Sequence, residues 1–376
     1  MSERPLRVLI CAPWRERLGG AEEMLWSVLK HADARRLALQ VAFLEPGPFE
    51  EEVRALGVRT FSVPAGRLRE PRAGRAAVRR LSDVIRGEAP DLVLNWVAKA
   101  QLYGAPAAVH AGRRDSVLWW QHGMPHGHWM DRAATALPAR AIGCSSQASA
   151  AAQASTRPRR PTFVVHPGVE TTDVHAIDRS ALGIPQGRRV IGIAGRLQPW
   201  KGQHRFLHAL RRLHDTGMRA HGLIVGGTAH GFSPGYEEQL NALIPKLGLR
   251  GWVTMVGHVP DARPYLAAMD VLVSASAKEP FGIVLAEAFA QGVPVVAAAD
   301  AGPREIVDPG VTGLLVPAPH DFLLATAVRD LLADEPRRRR MGRAARRSAH
   351  DRLGVRAMVE ALEMRLRALV AEGSAV

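Results

Sequence analysis

Apolar residues fall into short β-branched runs that alternate with helix-period stretches along most of the chain. In the first half the runs cover residues 8–12, 39–44, 60–63, 92–96, 117–121, 141–144 and 162–166. Each is long enough for a strand and too short for a helix. Between them, residues 21–30, 72–86 and 146–155 carry apolar side chains at helical spacing. The segment Pro167-Gly168-Val169-Glu170 then opens a polar connector rich in Asp and Thr. A second series follows at 190–194, 222–225, 253–256, 271–274, 295–298 and 313–316, and a terminal helix is expected from about residue 354 to 370. Strands separated by helices of ten to fifteen residues make βαβ units and parallel sheets. The pattern predicts an α/β chain of two doubly wound domains, 1–168 and 169–353, with 354–376 as a separate terminal helix. Ligands of such sheets bind outside the carboxyl ends of the strands, so a cleft between the domains is expected.

One segment departs from ordinary amphipathic patterning. Residues 281–290 are apolar and small, and read as a helix that is hydrophobic nearly all round and therefore buried. Glu287 is the only ionisable residue between Pro280 and Asp300. A buried carboxylate must be hydrogen-bonded or neutralised. Eight positions earlier, Glu279 precedes Pro280, which keeps it in the loop before the helix. Gly282, Ile283 and Val284 then present the unsatisfied N–H groups of a first helical turn, an anion site.

Composition narrows the class. With 376 residues the chain exceeds what one core usually supports. Hydrophobic residues make up 47% and charged residues 23%, as in ordinary globular proteins, so disordered and collagen-like classes are excluded. The formal net charge is +14, yet only five of the 50 basic residues are lysines, which points partly to a compositional bias toward arginine. Cys11 and Cys144 form no metal or disulfide pattern and read as reduced, structural thiols. The N-terminal apolar run is too short for a signal segment, and no run approaches the ~20 residues needed to span a bilayer. A soluble, cytoplasmic protein is expected.

The candidate chemistry lies just after strands. Gly19 and Gly20 open a helix after the first strand, without the G-x-G-x-x-G spacing of a dinucleotide site. Arg196 and Lys201 share the glycine-bounded loop after residues 190–194, and two cations there suit a diphosphate. Glu287, more than a turn into its helix, is placed to accept hydrogen bonds from sugar hydroxyls. The ligand that satisfies all of these features is a nucleotide sugar.

The motifs GRLQPWKGQ, VGHVPDARPYLAAMDVLVSAS and EPFGIVLAEAFAQGVPVVA, in that order, resemble those of the retaining glycosyltransferases of family 4. LGGAE after the first strand, Gln121-His122-Gly123 and HPGVE extend the resemblance over essentially the whole chain. It implies a GT-B fold of two Rossmann-like domains, the first on the acceptor side and the second holding a nucleotide-diphospho-sugar donor. It also implies that the terminal helix crosses back to the first domain. Arg196 and Lys201 would hold the donor diphosphate, with Phe281 and the amides of Gly282, Ile283 and Val284 capping it. Glu287 would bind the nucleoside ribose and Glu279 the transferred sugar. Gly19 and Gly20 would close over the diphosphate, His258 and Val259 would meet the base, and His122 would lie on the reacting face of the sugar. No metal and no cofactor are expected, since the cations and helix terminus stabilise the leaving diphosphate. The acceptor is a hydroxyl of a glycolipid, polysaccharide or small natural product.

Weaker signals remain. Trp14, Asn95 and Trp96 fall near strand ends of the first half, and Met124 and His126, with His128 and Trp129, in the loop after 117–121; all are candidate acceptor residues. The spacing of His122, His126 and His128 lacks the carboxylate or cysteine of a metal site. Arg72, Arg75 and Arg79 form one helical stripe, which some relatives in the family use to lie on anionic lipid, so peripheral contact with the inner face of the membrane is one reading and a solvated helix the other. The arginine run 337–340 has no nucleic-acid recognition module beside it, and nucleic acid is not an expected partner. A nucleotide-sugar 2-epimerase of the same fold and a non-catalytic basic binding protein are the alternatives to transfer.

Overall fold

The computed structural model describes residues 4–67, 69–125, 127–228 and 233–374. Two compact units divide the chain: one holds the residues up to Gly168 and those from Val355 onward, the other is Val169–Gly354.

The first unit carries strands β1 (Leu6–Ala12), β2 (Leu37–Phe43), β3 (Arg59–Ser62), β4 (Leu92–Trp96), β5 (Val117–Gln121), β6 (Ala141–Cys144) and β7 (Thr162–Val164). Helices α1 (Gly20–His31), α2 (Pro48–Ala55), α3 (Pro71–Glu88), α4 (Ala98–His110), α5 (Trp129–Ala136) and α6 (Gln147–Ala154) connect them. The strands form one parallel sheet in the order β3-β2-β1-β4-β5-β6-β7. Alternation along β1 sends Val8 and Ile10 to one face and Leu9 and Cys11 to the other, and both faces are covered. That is why its strands are apolar on both sides.

The second unit repeats the plan. Strands β8 (Val190–Ala194), β9 (His221–Val225), β10 (Val253–Gly257), β11 (Val271–Ser274), β12 (Val295–Ala298) and β13 (Gly313–Val316) form a parallel sheet in the order β10-β9-β8-β11-β12-β13. Helices α7 (Gln203–Asp215), α8 (Tyr236–Lys246), α9 (Arg263–Ala267), α10 (Ile283–Ala290), α11 (Pro303–Ile306), α12 (Asp321–Ala333) and α13 (Glu335–Arg352) cover it. The last helix, α14 (Val355–Ser374), belongs to the first unit, where Val355, Met358, Val359, Leu362 and Leu366 enter the core beside Leu25 and Val28 of α1.

Each of the thirteen predicted strand runs meets a strand, seven of them at both ends and the other six with ends displaced by one or two residues. In both sheets the chain reverses direction of progression at one place, between β1 and β4 and between β8 and β11. Such a switch point leaves the two flanking carboxyl-end loops diverging, and a crevice opens between them.

Candidate active site

The switch point of the second unit is built by the loops after β8 and β11. The first begins at Gly195, whose φ of +133° turns the chain, and reaches a single 3-10 turn, Pro199–Lys201. Gly202 ends that turn at φ +80°, and a Cβ there would sit 2.2 Å from the carbonyl oxygen of Ala275 in the second loop. Only glycine combines that conformation with that approach. Ala277 N–H donates to the carbonyl of Trp200 at 2.8 Å, and Arg205 to that of Ala275 at 3.1 Å. The two loops are thus held as one body.

That coupling brings Lys201 to Glu279. The ammonium Nζ lies 2.7 Å from Oε2, with the two side chains 19% and 10% exposed. Lys201 also stands 4.3 Å from the Trp200 ring. Glu279 is fixed from behind: its carbonyl accepts from Gly302 N–H at 3.0 Å, and Lys278 N–H donates to Asp300 at 3.1 Å. The Arg196 carbonyl accepts from Gln203 Nε2 at 2.9 Å, whereas its guanidinium, half-buried, makes no ion pair or hydrogen bond among the described residues.

Beyond Glu279 the chain turns into α10. Gly282 adopts φ +101° as its N-cap, so the helix begins at Ile283, two residues later than the predicted 281. Phe281 is 3% exposed, packs in the core of this unit, and its backbone lies against Gly302, so its side chain is withdrawn as a donor contact. The amides of Ile283 and Val284 open the helix and meet no carbonyl among the described residues.

The expectation of a buried Glu287 needs correction. α10 is apolar, but Glu287 lies on the face that Ile283 and Val284 leave partly open and is half-buried. Of the two glutamates of this motif, the buried one is Glu279, at 8%. Glu287 faces an arginine that sequence reading left without a role. Arg263 is held above its ordinary pKa by hydrogen bonds to Asp261, against the cost of burial, and Glu170 and Glu287 add attraction. It chelates Asp261 at 2.8–3.2 Å. The signal was an Asp-Ala-Arg turn inside a motif already singled out. At the end of β10 the backbone of His258 lies against Gly227, His258 is exposed and Val259 is half-buried.

In the first unit, Gly19 caps α1 and Gly20 begins it. The carboxylate of Glu22 folds over Gly19, 2.8 Å from where a Cβ would be. His122 follows β5 with its ring 5.0 Å from Trp96 and 5.9 Å from Trp120. Burial pushes its pKa down from 6.5 to about 3, so the imidazole is neutral at physiological pH. Its Nε2 is buried without a hydrogen-bond partner among the described residues. Met124 is half-buried beside Ser149, His128 caps α5, Trp129 is 55% exposed, and His126 lies outside the described residues.

Two candidate acceptor residues are withdrawn. Trp96 is fully buried, donates to the Ala21 carbonyl at 3.0 Å and stacks on Trp120. Asn95 is equally buried and donates to Gln101 at 2.7 Å. Both sit within the strand, where side chains meet packed helices rather than the crevice. Trp14 is half-buried against the same core.

Residues 175–348 match the family described as glycosyl transferases group 1, and residues 18–173 match glycosyltransferase family 4. The chain is a family 4 glycosyltransferase. Its two parallel-sheet units are those of the GT-B fold. A lipopolysaccharide core biosynthesis glycosyltransferase, LpsE of Rhizobium meliloti, is 27% identical over 86% of this chain and 88% of its own length. The D-inositol 3-phosphate glycosyltransferase of Mycobacterium tuberculosis is 38% identical over 50% of this chain and 39% of its own. Among solved structures, Anabaena HepE in complex with UDP superposes with a TM-score of 0.83 at 27% identity, covering 96% of this glycosyltransferase and all of HepE. Its complex with UDP-glucose gives the same TM-score at 26% identity over 96% and 99% of the two chains. Among the described residues no helix is long and apolar enough to cross a membrane. Part of the arginine run 337–340 is structural: Arg338 is 5% exposed and lies 3.4 Å from Asp270, and Arg339 pairs with Glu335.

Proposed function

We propose that this glycosyltransferase takes its sugar from a uridine-diphosphate sugar and moves it to a hydroxyl acceptor with retention of anomeric configuration. The observation that carries the reading is the arrangement at the switch point of the second unit: Lys201 bound to Glu279, an Arg196 guanidinium without a partner among the described residues, and the open amides of α10 within one pair of coupled loops. HepE, crystallised with UDP and with UDP-glucose, supports uridine as the base.

In this reading Arg196, Lys201 and the amides of Gly282, Ile283 and Val284 take the diphosphate. Glu279 turns from Lys201 to hydroxyls of the transferred sugar, Glu287 takes the ribose, and His258 and Val259 stand beside the base. His122, neutral and with an unpaired Nε2, offers a hydrogen bond to the sugar rather than a titrating acid or base. The bond from the anomeric carbon to the β-phosphate oxygen breaks, and the acceptor oxygen bonds to the same face. The acceptor's proton passes to the departing phosphate. Two cations and a helix terminus stabilise that leaving group, so catalysis proceeds without a metal.

The test is a thermal-shift series with UDP, GDP and dTDP, followed by product analysis with UDP-glucose. UDP at a hundred times its Kd should add about 2.7 kcal/mol of stability. The product should carry the donor's anomeric configuration, with rates unchanged by a chelator. No shift with any nucleoside diphosphate would overturn the reading.

A further inference from the structure

The first unit carries a second concave site that the transfer reaction does not use. A groove of about 900 Å³ runs between α3 and α4. Its floor is apolar, made by Val78, Leu102, Tyr103, Pro106, Leu137 and Pro138. Gly74 faces the Tyr103 ring, where a Cβ would stand at 3.6 Å, in ordinary van der Waals contact, so a larger side chain there would extend into the groove. The residues Arg114 and Leu137–138 that close one end lead into the amino ends of β5 and β6, away from the carboxyl-end loops that hold Gly19 and His122. The groove is thus separate from the candidate active site of this unit.

Its edge is cationic. Arg75, Arg79 and Arg114 line it, are exposed, and make no ion pair or side-chain hydrogen bond among the described residues. His110 lies on the same rim, and Glu70 is the one carboxylate among the lining residues. Elsewhere on α3, Arg86 pairs with Asp83, while Arg72 and Arg80, also exposed and without a partner among the described residues, point away from the lining, so the groove takes two of the helix's four unpaired arginines and adds Arg114. A volume of this size falls within the ~300–1,000 Å³ of small-molecule sites.

We propose that the α3–α4 groove binds a single-chain anionic amphiphile, its alkyl chain over Val78, Leu102 and Pro106 and its phosphate or carboxylate head against Arg75, Arg79 and Arg114. An apolar floor inside a ring of unpaired arginines matches an apolar tail joined to an anion, and a neutral or purely ionic ligand satisfies only half of it. A flat bilayer is the poorer fit. Interfacial helices project Trp, Phe or Leu into the lipid, whereas among the described residues the one large apolar side chain standing exposed at this groove is Val109.

Isothermal titration of the full chain with dodecyl phosphate below its micelle concentration tests the proposal. One saturable equivalent should bind, at least about tenfold tighter than inorganic phosphate or dodecyl maltoside. The double variant R75A/R79A, in exposed positions, should weaken binding by about tenfold or more and leave the thermal shift with UDP unchanged. Gly74→Leu fills the groove while improving helix propensity, and should abolish binding without lowering Tm. Equal binding of the neutral detergent, retention of dodecyl phosphate by both variants, or affinity only for phosphatidylglycerol vesicles would overturn the proposal.

Discussion

Replacing Lys201 with methionine keeps most of the side chain's reach and removes the cation 2.7 Å from Glu279. At that distance and an effective dielectric near 20, the direct attraction is about 6 kcal/mol, most of it offset by desolvating two charges. Exposures of 19% and 10% place the pair between a surface bridge, worth at most about 1 kcal/mol, and a fully buried one, whose breakage costs about 3–5. K201M should therefore cost about 2–4 kcal/mol, because it strands a carboxylate that is 8% exposed. E279Q should cost less, since lysine can swing toward water. The double variant should be more stable than the sum of the singles by about 2 kcal/mol. In a unit of this size each kcal/mol moves Tm by about 2–4 °C, so the cycle is measurable by urea or thermal unfolding. Repeating it with saturating UDP should change the coupling by more than about 1 kcal/mol, because the phosphate competes with Glu279 for the ammonium. Singles that add within about 0.5 kcal/mol would refute the claim that the two loops meet through this pair.

Gly202→Ala should destabilise the protein by about 3 kcal/mol, from a left-handed conformation and a Cβ 2.2 Å from the Ala275 carbonyl, and should weaken UDP binding as Lys201 shifts; unchanged unfolding would refute the contact. Glu287→Gln should raise the UDP Kd about tenfold or more with little change in Tm, since the carboxylate is half-buried; a large Tm loss with untouched affinity would make its role structural. Burial holds His122 near pKa 3 and His221 near 4, both below the ordinary 6.5. The unfolded chain therefore takes up these protons first. Stability should be full above pH 6.5 and fall toward pH 5 by at most about 2 kcal/mol per histidine, read as urea midpoints, with His221→Gln removing its share.

The sequence determined a good deal by itself. Parallel strands covered on both faces are apolar throughout, so each one stands out as a short β-branched run, and the β8 to β13 series could be located to within two residues. Glycines at forced positions, such as Gly202 and Gly282, and a proline after Glu279 marked where loops give way to helices. The order of motifs carried the family. Burial was less legible. Periodicity over residues 281–290 made Glu287 the buried carboxylate, because a helix apolar all round hides which of its faces the neighbours actually cover. The same blindness put Asn95 and Trp96 among acceptor residues: being near a strand end in sequence does not say whether a side chain meets a crevice or a helix such as α4. Only the tertiary structure brought Lys201 to Glu279 across 78 positions, set Arg263 beside Glu287, and left three arginines around an apolar groove without a partner among the described residues. Local sequence sets which segments become strands and helices; which charges find partners is decided when the sheet order brings distant loops to one switch point.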